Sequence, residues 1–353
     1  MGLFGSIFNK EKTHKGYFEL AISRVIRLNE SSVKIEFDIP KALQSKFNFI
    51  AGQFINVLIQ INGKEERRSY SICSAKEEAL AIGVKRVKGG TVSNWLNNEA
   101  KEGTKIFVSE AQGNFKVPDG SKDIATIAAG SGITPILSIL KSKKDVPSMH
   151  LLYGNRSKQE TMFLEDINKM DHIEKTFFLD SNQGENAIGG RIDKENLIKF
   201  IKSDLTFLKK DAFLICGPEQ MILGCIEALE FFGISKDKII YELFTTPVSL
   251  GIEEDKNSFS GTSEVTVTLD DEEFLMTMES DTKTILDAVE EEGMDAPYSC
   301  RGGVCCSCKA KVMEGDADMR LNYSLTDQEV EEGYILTCQA YPTEPKLKIS
   351  FDE

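Results

Sequence analysis

The spacing of the cysteines constrains this chain more than any other feature. Cys300, Cys305, Cys306 and Cys308 fall within nine residues, and Cys338 follows thirty residues after Cys308. Read without Cys306, the run is C-x4-C-x2-C with a distant fourth cysteine, a ligand spacing of [2Fe–2S] centres. Three thiolates converge from one tight loop, and the fourth closes the cage from another segment. Gly302 and Gly303 let that loop curl and turn its amides towards the sulfurs. Structural zinc also takes four cysteines and is the competing reading, but zinc ribbons pair two short C-x2-C hairpins and only one is present here. Cys306 sits between two ligands, where its side chain should point away, and reads as a small packed residue. The metal ligands expected are therefore Cys300, Cys305, Cys308 and Cys338.

The net charge of −14 is unevenly placed. From Gly261 onward there are 22 acidic against 7 basic residues, whereas the preceding part carries 34 against 35. This distribution argues against nucleic-acid binding. It fits a separate acidic module that meets basic partners through long-range fields, or a merely solvated acidic surface. No apolar run of 18 residues is present, so no transmembrane segment is expected. Residues 1–15 lack the ordered regions of a secretory signal and read as a flexible tail, which places the protein in the cytoplasm.

Periodicity divides the rest of the 353 residues into three regions. In the first, 16–120, Val33–Asp38 alternates apolar and polar residues, and Phe54–Ile61, Asn62-Gly63 and Lys64–Ile72 read as a hairpin with a tight turn. With a further strand over 79–87, this predicts a small antiparallel β-barrel. In the second, 121–248, strands over 123–129, 149–153, 176–179 and 212–216 alternate with helices over 135–140, through 167 and over 221–232. That is the pattern of an α/β domain with a parallel sheet. A linker is expected over 249–262. The third region, 263–353, opens with strands over 264–269 and 274–278. A helix near 283–291 should be capped by Asp281 or Thr282, and a capping box, Thr326-Asp-Gln-Glu329, should open a second helix. An α+β fold of the β-grasp kind is expected there.

Four motifs then carry a resemblance. Arg68-Ser69-Tyr70-Ser71 ends a barrel strand, and Gly90-Thr91-Val92-Ser93 follows as a glycine turn, capped by Thr or Ser, that opens a helix. Gly130-Ser-Gly132-Ile-Thr134-Pro135 joins a strand to a helix N-terminus. Cys216-Gly217-Pro218 ends a later strand. Together they resemble the R-x-Y-S and G-x-G-I-T-P signatures of the ferredoxin–NADP reductase superfamily. Residues 263–353, with Pro297-Tyr-Ser-Cys300 and Leu336-Thr-Cys338-Gln-Ala340, resemble a plant-type ferredoxin. Over residues 16–353 the chain is similar to the reductase components of phenylacetyl-CoA epoxidase complexes.

The resemblance implies specific roles. Arg68 neutralises the flavin pyrophosphate, Tyr70 covers the ring and Ser71 bonds flavin N5. Ser69 and the 90–93 turn also belong to the FAD site. Gly130, Gly132, Thr134 and Gly217 hold the NADPH, and Arg156 and Ser157 take its 2′-phosphate. Cys216 lies near the nicotinamide C4, and Phe244 approaches the flavin. Ser71 and Cys216 are the catalytic candidates. The expected function is electron transfer from NADPH through FAD and the [2Fe–2S] cluster to an oxygenase, a multi-subunit diiron enzyme. A reductase for another metalloprotein, or a carrier without catalysis, are the alternatives.

Overall fold

The computed structural model describes residues 14, 16–143, 146–181, 187–245 and 259–353. The expected tail, apart from His14, and most of the expected linker lie outside the described residues.

The first region is a single antiparallel sheet. Its strands are β1 (Tyr17–Asn29), β2 (Ser32–Asp38), β3 (Phe54–Ile61), β4 (Lys64–Ser71), β5 (Ala81–Lys85) and β6 (Lys105–Ser109), in the order β4-β3-β6-β1-β2-β5. A bridge from Ile72 to Ile82 joins the end of β4 to β5 and closes the barrel. Alternate residues, such as Val33, Ile35 and Phe37 of β2, fill its interior. Asn62 and Gly63, with φ of 52° and 77°, make the tight turn between β3 and β4 that the dipeptide predicts. Helix α1 (Thr91–Asn98) packs on the barrel through Val92 and Leu96.

The second region winds β7 (Asp123–Ala129), α2 (Ile133–Ser142), β8 (Ser148–Asn155), α3 (Leu164–Asn168), β9 (Glu174–Leu179), β10 (Ala187–Gly189), α4 (Lys194–Ser203), β11 (Ala212–Cys216), α5 (Glu219–Phe231) and β12 (Ile239–Glu242). All six strands are parallel, in the order β10-β9-β8-β7-β11-β12. Strand order reverses between β7 and β11, and ligands of such sheets bind outside the carboxyl ends at that point. Helix α2 is buried from Ile133 to Leu140 because it lies between this sheet and the barrel, in one core with Cys73, Ala81 and Phe115. The expected helix through Ile167 shrinks to the five-residue α3, which starts only after Phe163 has taken a left-handed conformation (φ 56°).

The third region contains β13 (Thr262–Leu269), β14 (Glu272–Glu279), α6 (Ile285–Glu291), β15 (Lys309–Glu314), β16 (Ala317–Met319), α7 (Asp327–Glu331), β17 (Tyr334–Leu336), β18 (Ala340–Pro342) and β19 (Lys346–Ser350). Its mixed sheet has the order β14-β13-β19-β15-β17 and packs against α6, the β-grasp arrangement. The capping box on α7 forms as read. The cap of α6 does not: Thr284, not Asp281 or Thr282, accepts from the Asp287 amide, because the helix starts at Ile285.

Candidate flavin, nicotinamide and cluster sites

The three domains meet around a cavity of about 750 Å³. Strand β4 lines it with Arg68, Ser69, Tyr70 and Ser71, and the start of α1 lines it with Gly90, Thr91, Val92 and Ser93. Thr134 enters from the glycine loop, Phe244 from the segment after β12, and Cys300 and Cys305 from the ferredoxin-like domain. Sequence motifs separated by up to 237 residues thus share one wall.

The cavity is chemically suited to a dinucleotide. Arg68 supplies an exposed cation, held by Glu66 at 3.2 Å. Burial raises the Tyr70 phenol above its usual range, so the ring presents a neutral aromatic body. The expected Thr or Ser cap of α1 is corrected by the structure. Gly90 is the cap residue, and the Ser93 hydroxyl turns back to accept from the Val87 amide. No side chain caps α1, so its first amides and its dipole face the cavity, a ready anion site.

Among the wall residues that the motifs did not single out, Lys85 and Glu242 carry ionisable groups. Lys85, at the end of β5, lines the cavity, with its Nζ 3.6 Å from where a Gly130 Cβ would stand. Glu242 ends β12 in register with Cys216 of β11, and the Ser71 hydroxyl donates to its Oε2 at 3.4 Å. Glu242 lines the cavity and is half-buried, and the surrounding protein desolvates its carboxyl. Burial therefore pushes its carboxyl up to about 8, against the small opposing effect of the Ser71 hydrogen bond. The signal available in sequence was a lone carboxylate inside the apolar run Ile239–Phe244.

The glycine loop sits at the switch point. Gly130 begins a 3-10 turn after β7, and its carbonyl accepts from the buried Tyr153 hydroxyl at 3.0 Å. Thr134 donates to the Ser131 carbonyl at 2.9 Å. Gly132 packs directly on the end of β11: an added Cβ would stand 2.0 Å from the Cys216 carbonyl oxygen and 2.7 Å from the Gly217 nitrogen. Both obstacles are backbone, so they cannot swing aside. Gly132→Ala is expected to cost about 3 kcal/mol of stability and to raise the nicotinamide KM roughly 10-fold. Thermal denaturation and steady-state kinetics check this, and an unchanged KM would remove the loop from the site. Cys216 itself is fully buried, its thiol pushed well above the usual range by burial, and it is not among the residues that line the cavity. Arg156 is exposed at the end of β8. Ser157 is half-buried, with its hydroxyl accepting from the Glu160 amide.

The cluster loop is held open by left-handed residues, Arg301, Gly303 and Cys306, which reverse the chain between the cysteines. The thiols stand in two pairs. The Cys300 and Cys305 side chains contact each other, as do those of Cys308 and Cys338. The Gly302 amide donates to Cys300 Sγ and the Cys300 amide to Cys305 Sγ, each at 3.3 Å. Two thiol pairs with amides aimed at sulfur fit a two-iron cluster, one pair to each iron. Cys306 contacts Ser324 instead, as its reading as a packed residue expects.

Comparison with known proteins agrees with this geometry. Residues 10–117 match an oxidoreductase FAD-binding domain, 126–226 an oxidoreductase NAD-binding domain, and 267–343 a 2Fe-2S iron-sulfur cluster binding domain. The chain is 33% identical to a subunit of the 1,2-phenylacetyl-CoA epoxidase of Escherichia coli K12, over 95% of this chain and 98% of that one. It is 29% identical to the ferredoxin reductase component of the 3-ketosteroid-9-alpha-monooxygenase of Mycolicibacterium smegmatis, over 95% and 97%. The solved structure of phthalate dioxygenase reductase shares the fold, with a TM-score of 0.60, 22% identity, and coverage of 95% of this chain and 98% of that one. The protein is therefore an oxidoreductase with FAD, nicotinamide and [2Fe–2S] sites, and it belongs to the family of ferredoxin–NADP reductase-like oxygenase reductases that carry a C-terminal ferredoxin, the family to which that phenylacetyl-CoA epoxidase component belongs.

Proposed function

We propose that this chain is the NADPH-dependent reductase of a phenylacetyl-CoA epoxidase, serving phenylacetate catabolism in the cytoplasm with a multi-subunit diiron oxygenase as its partner. One observation carries the relay: the flavin motif, Thr134 of the glycine loop, and Cys300 and Cys305 line the same cavity. A single flavin there is reachable from the nicotinamide on one side and from the cluster on the other. When bound, the flavin accepts a hydride and passes electrons singly to the cluster.

The chain's own residues position these groups. Arg68 and the first turn of α1 hold the pyrophosphate, with Ser69, Gly90, Thr91, Val92 and Ser93 shaping that end. Tyr70 and Phe244 cover the ring, and Ser71, steadied by Glu242, hydrogen-bonds its reactive edge. Gly130, Gly132, Thr134 and Gly217 hold the nicotinamide nucleotide, while Cys216 lies near the nicotinamide. Arg156 and Ser157 hold the 2′-phosphate, which favours NADPH. Cys300, Cys305, Cys308 and Cys338 hold the cluster. The steroid-oxygenase relative supports a second reading, a reductase for another oxygenase, which has the same internal relay. Among the described residues no helix is long and apolar enough to cross a membrane.

The test is the visible spectrum of the purified protein during anaerobic titration. Flavin bands and the broad [2Fe–2S] shoulder should both bleach with NADPH and more slowly with NADH. A protein holding zinc, or no flavin, overturns the relay. Addition of the oxygenase components of the epoxidase with phenylacetyl-CoA should then give epoxide formation, and turnover only with a steroid oxygenase would select the second reading. Arg156→Ala is expected to raise the KM for NADPH about 10- to 100-fold, the loss of one charge-assisted contact. The KM for NADH should not change. A parallel change in both would show that Arg156 does not read the 2′-phosphate.

A further inference from the structure

Arg67 stands one residue before the flavin motif, does not line the cavity, and reaches into the ferredoxin domain. Side chains alternate along β4, so Arg67 and Ser69 share one face: Ser69 borders the cavity, and both residues meet the ferredoxin domain. Arg67 is only 7% exposed, yet it belongs to a barrel strand whose neighbours there come from the ferredoxin domain. Its Nη2 donates to Asp295 Oδ1 at 2.6 Å and its Nη1 to the Ala296 carbonyl at 3.4 Å. The guanidinium carbon lies 4.8 Å from the centre of the Tyr298 ring, and Arg301 approaches the same ring at 4.3 Å.

Two further bonds continue the row. Ser69 Oγ lies 2.9 Å from Ser299 Oγ, and Asn56 Nδ2 donates to Ser307 Oγ at 2.9 Å. The barrel side of these contacts is tied together, since Ser69 also donates to Asn56 Oδ1 at 2.7 Å. Every ferredoxin residue in the row either leads into the cluster loop or lies between its ligands. The junction is polar and directional. A guanidinium taken out of water needs a partner, and its planar fork accepts a carboxylate in few orientations. Such a pair adds little net stability and instead penalises every wrong register. Electron tunnelling falls exponentially with distance, so register at this junction sets the rate between flavin and cluster.

We infer that Arg67 is a positioning residue for electron transfer between the two cofactors: paired with Asp295 and stacked on Tyr298, it holds the cluster loop in the register that puts Cys300 and Cys305 in the wall of the flavin cavity. This rests on the cavity holding the flavin.

The test uses the full-length holoprotein and the variants Arg67→Leu, Arg67→Lys and Asp295→Asn. Anaerobic stopped-flow with NADPH follows flavin and cluster bleaching at separate wavelengths, and small-angle scattering follows docking of the ferredoxin domain. In Arg67→Leu, flavin bleaching should stay within about two-fold of the parent while cluster bleaching slows at least ten-fold, the scale expected for an ångström-sized misplacement. The radius of gyration should rise, and Arg67→Lys should recover part of the rate. Asp295→Asn changes a partly exposed side chain on the other domain and should reproduce the split. It decides the matter if Arg67→Leu folds poorly. Unchanged cluster bleaching and unchanged scattering in Asp295→Asn overturn the inference. So does equal slowing of flavin and cluster, which would make the pair part of the flavin site. A parent whose flavin does not bleach fails the proposed relay instead, and scattering then still decides whether the contact holds the domain.

Discussion

Cys338→Ser is expected to abolish electron delivery while leaving flavin reduction intact. In the proposed assignment Cys338 reaches the cluster from a segment far from the loop, and it stands with Cys308 as one of the two thiol pairs. Replacing its sulfur by a hard, weakly acidic hydroxyl leaves one iron with a single protein ligand. Iron content should fall from two per chain towards zero, and transfer to a protein acceptor should drop roughly 1,000-fold, about 4 kcal/mol of barrier. Flavin bleaching by NADPH should stay near the parent rate, because no flavin-binding side chain changes. Cys308 and Cys338 both belong to the ferredoxin core, so loss of the metal should also loosen that domain, since metal binding contributes directly to its folding. Cys306→Ser is the control. Its thiol contacts Ser324, and its variant should keep the cluster. A Cys338→Ser protein that retains iron, or a Cys306→Ser protein that loses it, would reverse the ligand assignment.

The second large effect is on pH-dependent stability, through Glu242. Its carboxyl is raised from 4.5 to about 8 in the fold because burial disfavours the charge. Between those two values the native chain keeps a proton that the unfolded chain has released. Stability therefore falls as pH rises from about 4.5 to 8 and is level above it, a loss on the order of 2 kcal/mol once the water that reaches this partly exposed carboxylate through the cavity is allowed for. Glu242→Gln keeps the shape and an acceptor for the Ser71 hydroxyl but cannot ionise. In flavin-free protein the variant and the parent should unfold alike near pH 5. Near pH 8.5 the variant should be the more stable by most of that amount. Denaturant unfolding at the two pH values measures it, and parallel curves would show that Glu242 is not buried as a charge.

The contrast between Cys338 and Glu242 marks what each level of description decides. Ligand spacing is a local property: five residues set the reach from Cys300 to Cys305, so the cluster loop and its glycines are legible in the chain itself. The same is true of the Asn62-Gly63 turn and the Thr326 capping box, each fixed by the conformations of a few neighbouring residues, while the parallel sheet was legible from its alternation of strands and helices. Caps were less legible where several candidates stood together. Thr284 displaced Asp281 and Thr282 because the buried face of α6 begins at Ile285. Gly90 displaced the expected hydroxyl cap because Ser93 is engaged by Val87.

Glu242 has no motif around it. Its meaning comes from β12 pairing with β11 in a register that sets it beside Cys216 and brings it to Ser71, a residue 171 positions away. Arg67 is similar: in sequence it is the residue before a flavin motif, and only the docked ferredoxin domain turns it into an interdomain anchor. The sequence by itself determined the three-domain order and pointed to a cysteine-held cluster, because burial periodicity and ligand spacing are local, while its flavin and nicotinamide were read from motifs that resemble those of a known family. The tertiary structure alone decided which charges are buried and what they face, because desolvation and pairing depend on neighbours that the chain brings together only when it folds.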